Sequence, residues 1–232
     1  MFNKTPESMR LTLRALARLL AYPDAELRAQ MPALVDALRA EQVLPPARVA
    51  ELQALAQQVC AIDPYEAEGR YVDTFDRGRQ TSLHLFEHIH GDSRERGPAL
   101  IDLTQTYERA GLHLGAQELP DHLGVVLEFA STQPAQVARG FLAEMAHVLN
   151  ALFSALDAKA SPYASVVAAV LEAAGERAQA VAIAPEPEMD EAWAEPEAFD
   201  GCATRGQNRP GQPQPIQIVR KARPQPTQGV SP

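Results

Sequence analysis

Residues 135–159 read AQVARGFLAEMAHVLNALFSALDAK, and this stretch decides the fold class. Phe141, Met145, Val148, Leu152 and Leu156 recur at spacings of three and four, which puts them on one face of an α-helix. A strand would need alternation at every second position. No stretch before residue 185 shows that alternation between hairpin turns, so the whole body reads as all-α.

Working outward from this helix, the same period repeats in both directions. Upstream, Met9, Leu13, Leu16 and Leu20 form the stripe of a first helix that Pro23 ends, because the residue before a proline is pushed out of the α region. Leu27, Met31, Leu34 and Leu38 continue in a second helix, which Pro32 is predicted to kink or split. After Pro45-Pro46 a third helix presents Val49, Leu52, Ala56 and Val59. Asp63-Pro64-Tyr65-Glu66 is a start signal, with an oxygen-bearing cap, proline at the first helical position and an acid placed for a capping box. The helix it opens carries Tyr65, Val72 and Phe75. A short apolar helix is predicted from about Thr81 to His90, stopped by Gly91. Asp92-Ser93-Arg94-Glu95 reads as a second capping box opening a helix to Ala110, bent near Gly97-Pro98 and terminated by Gly111. Pro120 is predicted to open the next helix, with Leu123, Val126, Leu127 and Ala130 at core spacing. Downstream, Ser161-Pro162 begins the last helix, carrying Val166, Val170, Leu171 and Ala174 and fading near Ala182. The expectation is one globular multi-helix domain over residues 1–184.

The 232 residues contain 19 prolines, and nine of them fall in residues 185–232. That tail is acidic without a base from Glu186 to Asp200, and basic without an acid from Arg205 to Arg223. With few apolar residues to offset its ordering entropy, it is expected to be mostly disordered. Trp193 with Phe199, and the run Ile216 to Val219, are the two patches able to dock as a lid or an added strand.

Composition bounds the function. Hydrophobic residues are 46% and charged residues 22%, with a formal net charge of -9, which suits a soluble globular chain and argues against a general phosphate-backbone binder. No nucleic-acid partner is expected, and a basic peptide is the better match. Cys60 and Cys202 lack CxxC spacing, so they read as two reduced thiols. Arginines at 10, 14 and 18 interrupt the apolar runs at the N-terminus, and no stretch reaches membrane-spanning length. A cytoplasmic chain with no membrane insertion is expected.

No dinucleotide-binding, P-loop, nucleophile-elbow or HExxH motif is present, so no catalytic residue is assigned. Three clusters remain. In His84-Leu85-Phe86-Glu87-His88-Ile89-His90-Gly91-Asp92, His84 and His88 are four apart and would share a helix face. Glu87 or Asp92 could supply an oxygen ligand, Asp92 in the reading of a metal-dependent helical hydrolase, or the histidines could simply be solvated and hydrogen-bonded. In Glu118-Leu119-Pro120-Asp121-His122-Leu123, Asp121 and His122 fall in a predicted first turn, where an acid caps free amides. Alternatively Glu118, Asp121 and Glu128 form an acidic rim beside an apolar groove suited to a basic amphipathic peptide, with His122 sensing pH. In Asp76-Arg77-Gly78-Arg79 the two arginines either pair with nearby acids or meet an anionic group on a partner.

The blocks YVDTFD (71–76), RGRQTSLHLFEHIHGDSRERGPALIDL (77–103) and ELPDHLGVVLEF (118–129) closely resemble the NarJ family, the assembly chaperones, once called delta subunits, of respiratory nitrate reductase. LLAYPDAEL (19–27), DEAWAEPEAF (190–199) and PIQIVR (215–220) extend the likeness over nearly the whole chain. The resemblance implies an all-helical maturation chaperone without turnover, not part of the final enzyme. Such a protein binds the N-terminal segment of the apo nitrate reductase alpha subunit, or its alpha-beta complex, and keeps it open for molybdenum cofactor insertion. It also delays premature membrane docking. No stably bound cofactor or metal is implied; the chaperone acts on delivery of a molybdenum cofactor of the bis guanine dinucleotide type to its client, alongside cofactor-delivery proteins. The family's peptide-contact element maps onto Glu118, Pro120, Asp121 and His122, with Glu128 on the rim. Tyr71, Phe75 and Leu123 are inferred as groove walls, and Asp76, Arg77, Arg79 and His88 as further partner contacts.

Overall fold

The computed structural model describes residues 7–91, 93–115 and 118–182. Among them lie ten α-helices: α1 Arg10–Leu19, α2 Ala25–Glu41, α3 Pro46–Ala61, α4 Pro64–Phe75, α5 Leu85–His90, α6 Arg96–Arg109, α7 Leu123–Thr132, α8 Ala135–Glu144, α9 Ala146–Ala158 and α10 Ala164–Ala174. A 3-10 turn covers Arg79–Thr81. The one strand-like feature among the described residues is an isolated antiparallel bridge between His84 and His122. The fold class is all-α, as the periodicity requires.

The centre is α10, whose Val166, Val167, Ala168, Ala169, Val170 and Leu171 have no exposure at all. A helix apolar on every side is stable only when wrapped, and α1, α3, α8 and α9 wrap this one. Its alanines let those neighbours approach closely. Gly175, at φ +87°, then ends it with the Glu176 N–H on Leu171 O at 2.8 Å and the Gly175 N–H on Glu172 O at 3.0 Å. This left-handed termination closes α10 at Ala174, short of the expected Ala182. α1 lies between α2 and α7. Its free N-terminal amides are capped from α2: Glu41 accepts from the Thr12 N–H at 2.6 Å and the Leu11 N–H at 3.2 Å.

Pro32 sits inside an unbroken α2. Proline leaves the carbonyl four residues earlier without its helical donor, and here that carbonyl, Arg28 O, accepts from the Cys60 thiol of α3 at 3.5 Å. Arg28 returns the contact, donating to Ile62 O at 2.9 Å and Cys60 O at 3.2 Å. The helix is thus not split at Pro32, and a reciprocal contact ties α2 to the end of α3. The 135–159 helix divides at Met145, whose φ of -92° and ψ of 3° leave the helical region. Neither proline nor glycine marks the break, and the two halves, α8 and α9, both lie against α10.

The Asp63 cap and Pro64 start are found as read: Asp63 accepts from the Tyr65 N–H at 2.9 Å. Glu66 turns to Arg70 at 2.6 Å, and Tyr65 is 83% exposed, so Tyr65 is not a core residue of α4. α6 starts at Arg96, later than the expected capping box, and Ser93 accepts locally from the Glu95 N–H at 3.1 Å. Pro98 lies in the first turn, where its missing N–H costs nothing. Trp193, Phe199, Cys202 and the 216–219 run lie outside the described residues.

Candidate functional site

The two sequence blocks singled out above, 77–103 and 118–129, meet at one carboxylate. Asp121 has no solvent exposure. Its Oδ2 accepts from the Phe86 N–H at 3.2 Å and its Oδ1 from His84 Nδ1 at 3.3 Å, while its backbone oxygen accepts from the Leu85 N–H at 3.0 Å. Leu123 N–H closes the junction on Leu83 O at 2.8 Å. Arg96 of α6 stands 3.9 Å from the same carboxylate and pairs with Glu87 at 3.1 Å.

This geometry corrects three readings. Asp121 is neither in the first turn of α7 nor on an exposed rim; it precedes α7 and caps α5 across the fold. The reason is that α7 begins at Leu123, with His122 as its cap: His122 Nδ1 accepts from the Gly124 N–H at 3.2 Å. His84 and His88 do not share a helix face. His84 lies before α5 in extended backbone, held by its bridge to His122, and only His88 is on the helix, donating to Ser82 O at 2.8 Å. The spacing argument for a metal pair fails because the helix starts one residue after His84. Asp92 lies outside the described residues, among which no group of three or more His, Cys, Asp or Glu side chains is placed to hold a metal ion.

The electrostatics follow from the same contacts. Burial pushes the Asp121 carboxyl up, but hydrogen bonds from His84 and the Phe86 N–H outweigh it and hold it below its ordinary 3.8. The bond to Asp121 raises His84 above its ordinary 6.5 despite partial burial. Burial, then the charge of His84, lowers His122. The two imidazoles pack edge to face with centroids 5.2 Å apart, so one touches the carboxylate and the other is kept neutral enough to cap α7.

A satellite apolar cluster backs the junction. Tyr107 of α6 is 1% exposed, donates to Pro120 O at 2.8 Å and lies against Phe129 with centroids 4.4 Å apart. Phe129 packs edge to face on Phe141 at 5.1 Å. The sequence reading missed Tyr107. Its spacing from Leu103 marks it as stripe-facing, but no spacing rule links it to Pro120. Arg96 was missed for the same reason.

The remaining site candidates separate. Glu118 is exposed and accepts from the Gly115 N–H at 2.9 Å, closing its own turn. Leu119 is 43% exposed and Leu123 is fully buried. Tyr71 and Phe75, expected as groove walls, are 8% and 5% exposed and belong to an aromatic cluster. Tyr71 donates to Leu20 O at 2.7 Å, and Tyr163 stands 4.9 Å from Phe75 and 6.0 Å from Tyr71. Core packing draws them inward. Asp76 ends α4, and the exposed Arg77 pairs with Asp73 at 3.0 Å. Arg79 is exposed on the 3-10 turn. Glu128, also exposed, lines a polar cleft with Arg10 and Arg14. No helix among the described residues is long and apolar enough to cross a membrane.

The fold and the buried Asp121 junction are those of an all-helical protein, and the chain belongs to the nitrate reductase delta subunit family, matching its model over residues 21–169. It is 40% identical over 154 residues to the nitrate reductase molybdenum cofactor assembly chaperone NarJ of Escherichia coli K12, covering 66% of this chain and 65% of that relative. It is 33% identical over 166 residues to the probable NarJ chaperone of Bacillus subtilis, covering 70% of this chain and 88% of the relative. A shorter likeness, 45% over 109 residues, links it to the nitrate reductase-like protein NarX of Mycobacterium tuberculosis, of which it covers 17%. The match thus spans just under two thirds of the length of the Escherichia coli chaperone.

Proposed function

We propose that this protein is a cytoplasmic, non-catalytic chaperone of nitrate reductase maturation, and that its client is the apo catalytic subunit, recognised through its N-terminal segment. Family membership supports the general role. The observation that carries the finer reading is the Asp121 junction, which fixes the 118–123 segment against α5 and leaves Glu118 and Leu119 at the surface. A basic amphipathic peptide needs that combination of acid and exposed apolar side chain. In this account Glu118 and Glu128 supply the attraction and Asp121 and Leu123 support the surface from behind, while Tyr71 and Phe75 act only through the core they share with Tyr163. His88, Asp76, Arg77 and Arg79 belong to the adjoining face offered to the rest of the client or to cofactor-delivery proteins. Holding the client unfolded at its N-terminus keeps it open for the molybdenum cofactor, of bis guanine dinucleotide type, and away from the membrane subunit.

The test is co-purification with a tagged catalytic subunit from cells unable to make the cofactor and from cells that make it. Recovery from the cofactor-free cells alone is the expected result. Equal recovery from both would mean that the protein does not distinguish apoenzyme from finished enzyme.

A further inference from the structure

A cleft of about 330 Å³ opens between the start of α1 and the end of α7, lined by Arg10, Arg14, Leu112, Glu128, Ser131 and Thr132. In volume it sits at the lower end of small-molecule sites, which begin near about 300 Å³. Arg10 and Arg14 are one helical turn apart on α1, so their guanidinium groups share a face. Neither has an ion pair or side-chain hydrogen bond among the described residues, whereas Arg39, Arg48, Arg70, Arg77 and Arg96 all pair with carboxylates. In a chain of net charge -9, two arginines without a described ion-pair partner border a cavity, and the one glutamate lining it offsets only one of the two charges, which leaves room for an anion from outside.

The donors and acceptors narrow its chemistry. A single guanidinium fork satisfies both oxygens of a carboxylate; two forks a turn apart suit an anion with oxygens on several faces, which is a phosphate. The opposite wall offers acceptors. Ser131 Oγ donates to Glu128 O at 2.7 Å and Thr132 Oγ1 to Phe129 O at 2.7 Å, so both hydroxyl protons are committed to backbone. Thr132 Oγ1 already accepts from Gln133 Nε2 at 2.8 Å and Ser131 is buried, so the exposed Glu128 carboxylate is the main acceptor on that wall, and Leu112 adds an apolar side. We infer that this cleft binds a small phosphate ester carrying hydroxyl or amino donors, the chemistry of a nucleotide, with its phosphate on Arg10 and Arg14 and its donors on Glu128.

The inference shares Glu128 with the client reading but not Arg10 and Arg14, so loss of nucleotide binding in the arginine variants leaves that reading standing; it is tested on the full chain by isothermal titration with GDP, AMP and inorganic pyrophosphate. At least one nucleotide should bind one to one, tighter than pyrophosphate. Arg10→Ala and Arg14→Ala should each weaken it at least tenfold, and the double variant should abolish it. Both side chains are exposed and unpaired, so circular dichroism melting should be unchanged in these variants. Glu128→Gln should weaken the nucleotide more than pyrophosphate. No binding of any probe up to millimolar concentration, or binding that the double variant retains, overturns the site. Pyrophosphate binding as tightly as either nucleotide overturns the acceptor wall and with it the ligand class.

Discussion

The carboxylate of Asp121 caps a helix it does not belong to: its Oδ2 accepts from the Phe86 N–H of α5 at 3.2 Å, 35 residues away in sequence, with no part of Asp121 reaching solvent. This contact joins the two motif blocks into one structural unit, and its removal should act on stability. Asp121→Ala leaves the Phe86 N–H and the His84 ring without their acceptor in a closed site, a loss of about 3 kcal/mol. Asp121→Asn keeps one acceptor oxygen and should cost less. Urea denaturation checks both, and an unchanged midpoint for Asp121→Ala would show that the junction is not a clasp.

The pH dependence of that clasp has a definite sign. His84 is raised above 6.5 in the folded state, chiefly by its bond to Asp121. Its contribution is therefore complete below pH 6.5 and fades as pH rises through the folded value. Asp121 is lowered below 3.8, so its contribution holds above that pH and fades as pH falls through its folded value. His122, lowered by burial, works against His84: protonating it at low pH costs stability. The stability difference between wild type and His84→Gln should grow from pH 8 to pH 5.5. In a ¹H–¹³C titration His84 should lose its proton at higher pH than His122, and the reverse order would refute the assignment of partners.

Two helix ends offer a paired test of backbone strain. α9 ends on Ala160 at φ +49°, with the Ser161 N–H on Leu156 O at 2.9 Å and the Ala160 N–H on Asp157 O at 2.8 Å, the same arrangement that Gly175 makes for α10. Left-handed backbone suits glycine and strains alanine. Ala160→Gly should stabilise by about 0.5–1 kcal/mol. Gly175→Ala should destabilise by about 1–2 kcal/mol, more if Arg139 cannot move, because its guanidinium occupies the space of the new Cβ. Thermal melts shifting in opposite directions are expected.

How much of this was legible beforehand depends on whether the deciding contact was local. The all-α class, the Asp63-Pro64 start and the stop at Gly111 follow from period and capping chemistry within a few residues, and they stand. The continuity of α2 through Pro32 was not legible, because the donor that replaces the lost one is Cys60 on another helix. The same holds at the site. Asp121 looks like a first-turn acid from its neighbours, but the turn it caps is at Phe86. His84 and His88 look like a helical pair until the bridge to His122 is known. The shared face of Tyr71 and Phe75 reads as core packing, which their burial against Tyr163 bears out; the groove-wall role came only with the family resemblance, and nothing local to the two rings tests it.

The central claim is tested most directly by calorimetric titration of the full chain with a synthetic peptide copying about the first fifteen residues of the cognate nitrate reductase catalytic subunit, at low and high salt. The account predicts saturable one-to-one binding, weakened by added salt in its electrostatic part and weakened by Glu118→Gln without any change in melting temperature. No heat across pH 6 to 8, or binding indifferent to Glu118 and Glu128 together, would contradict it.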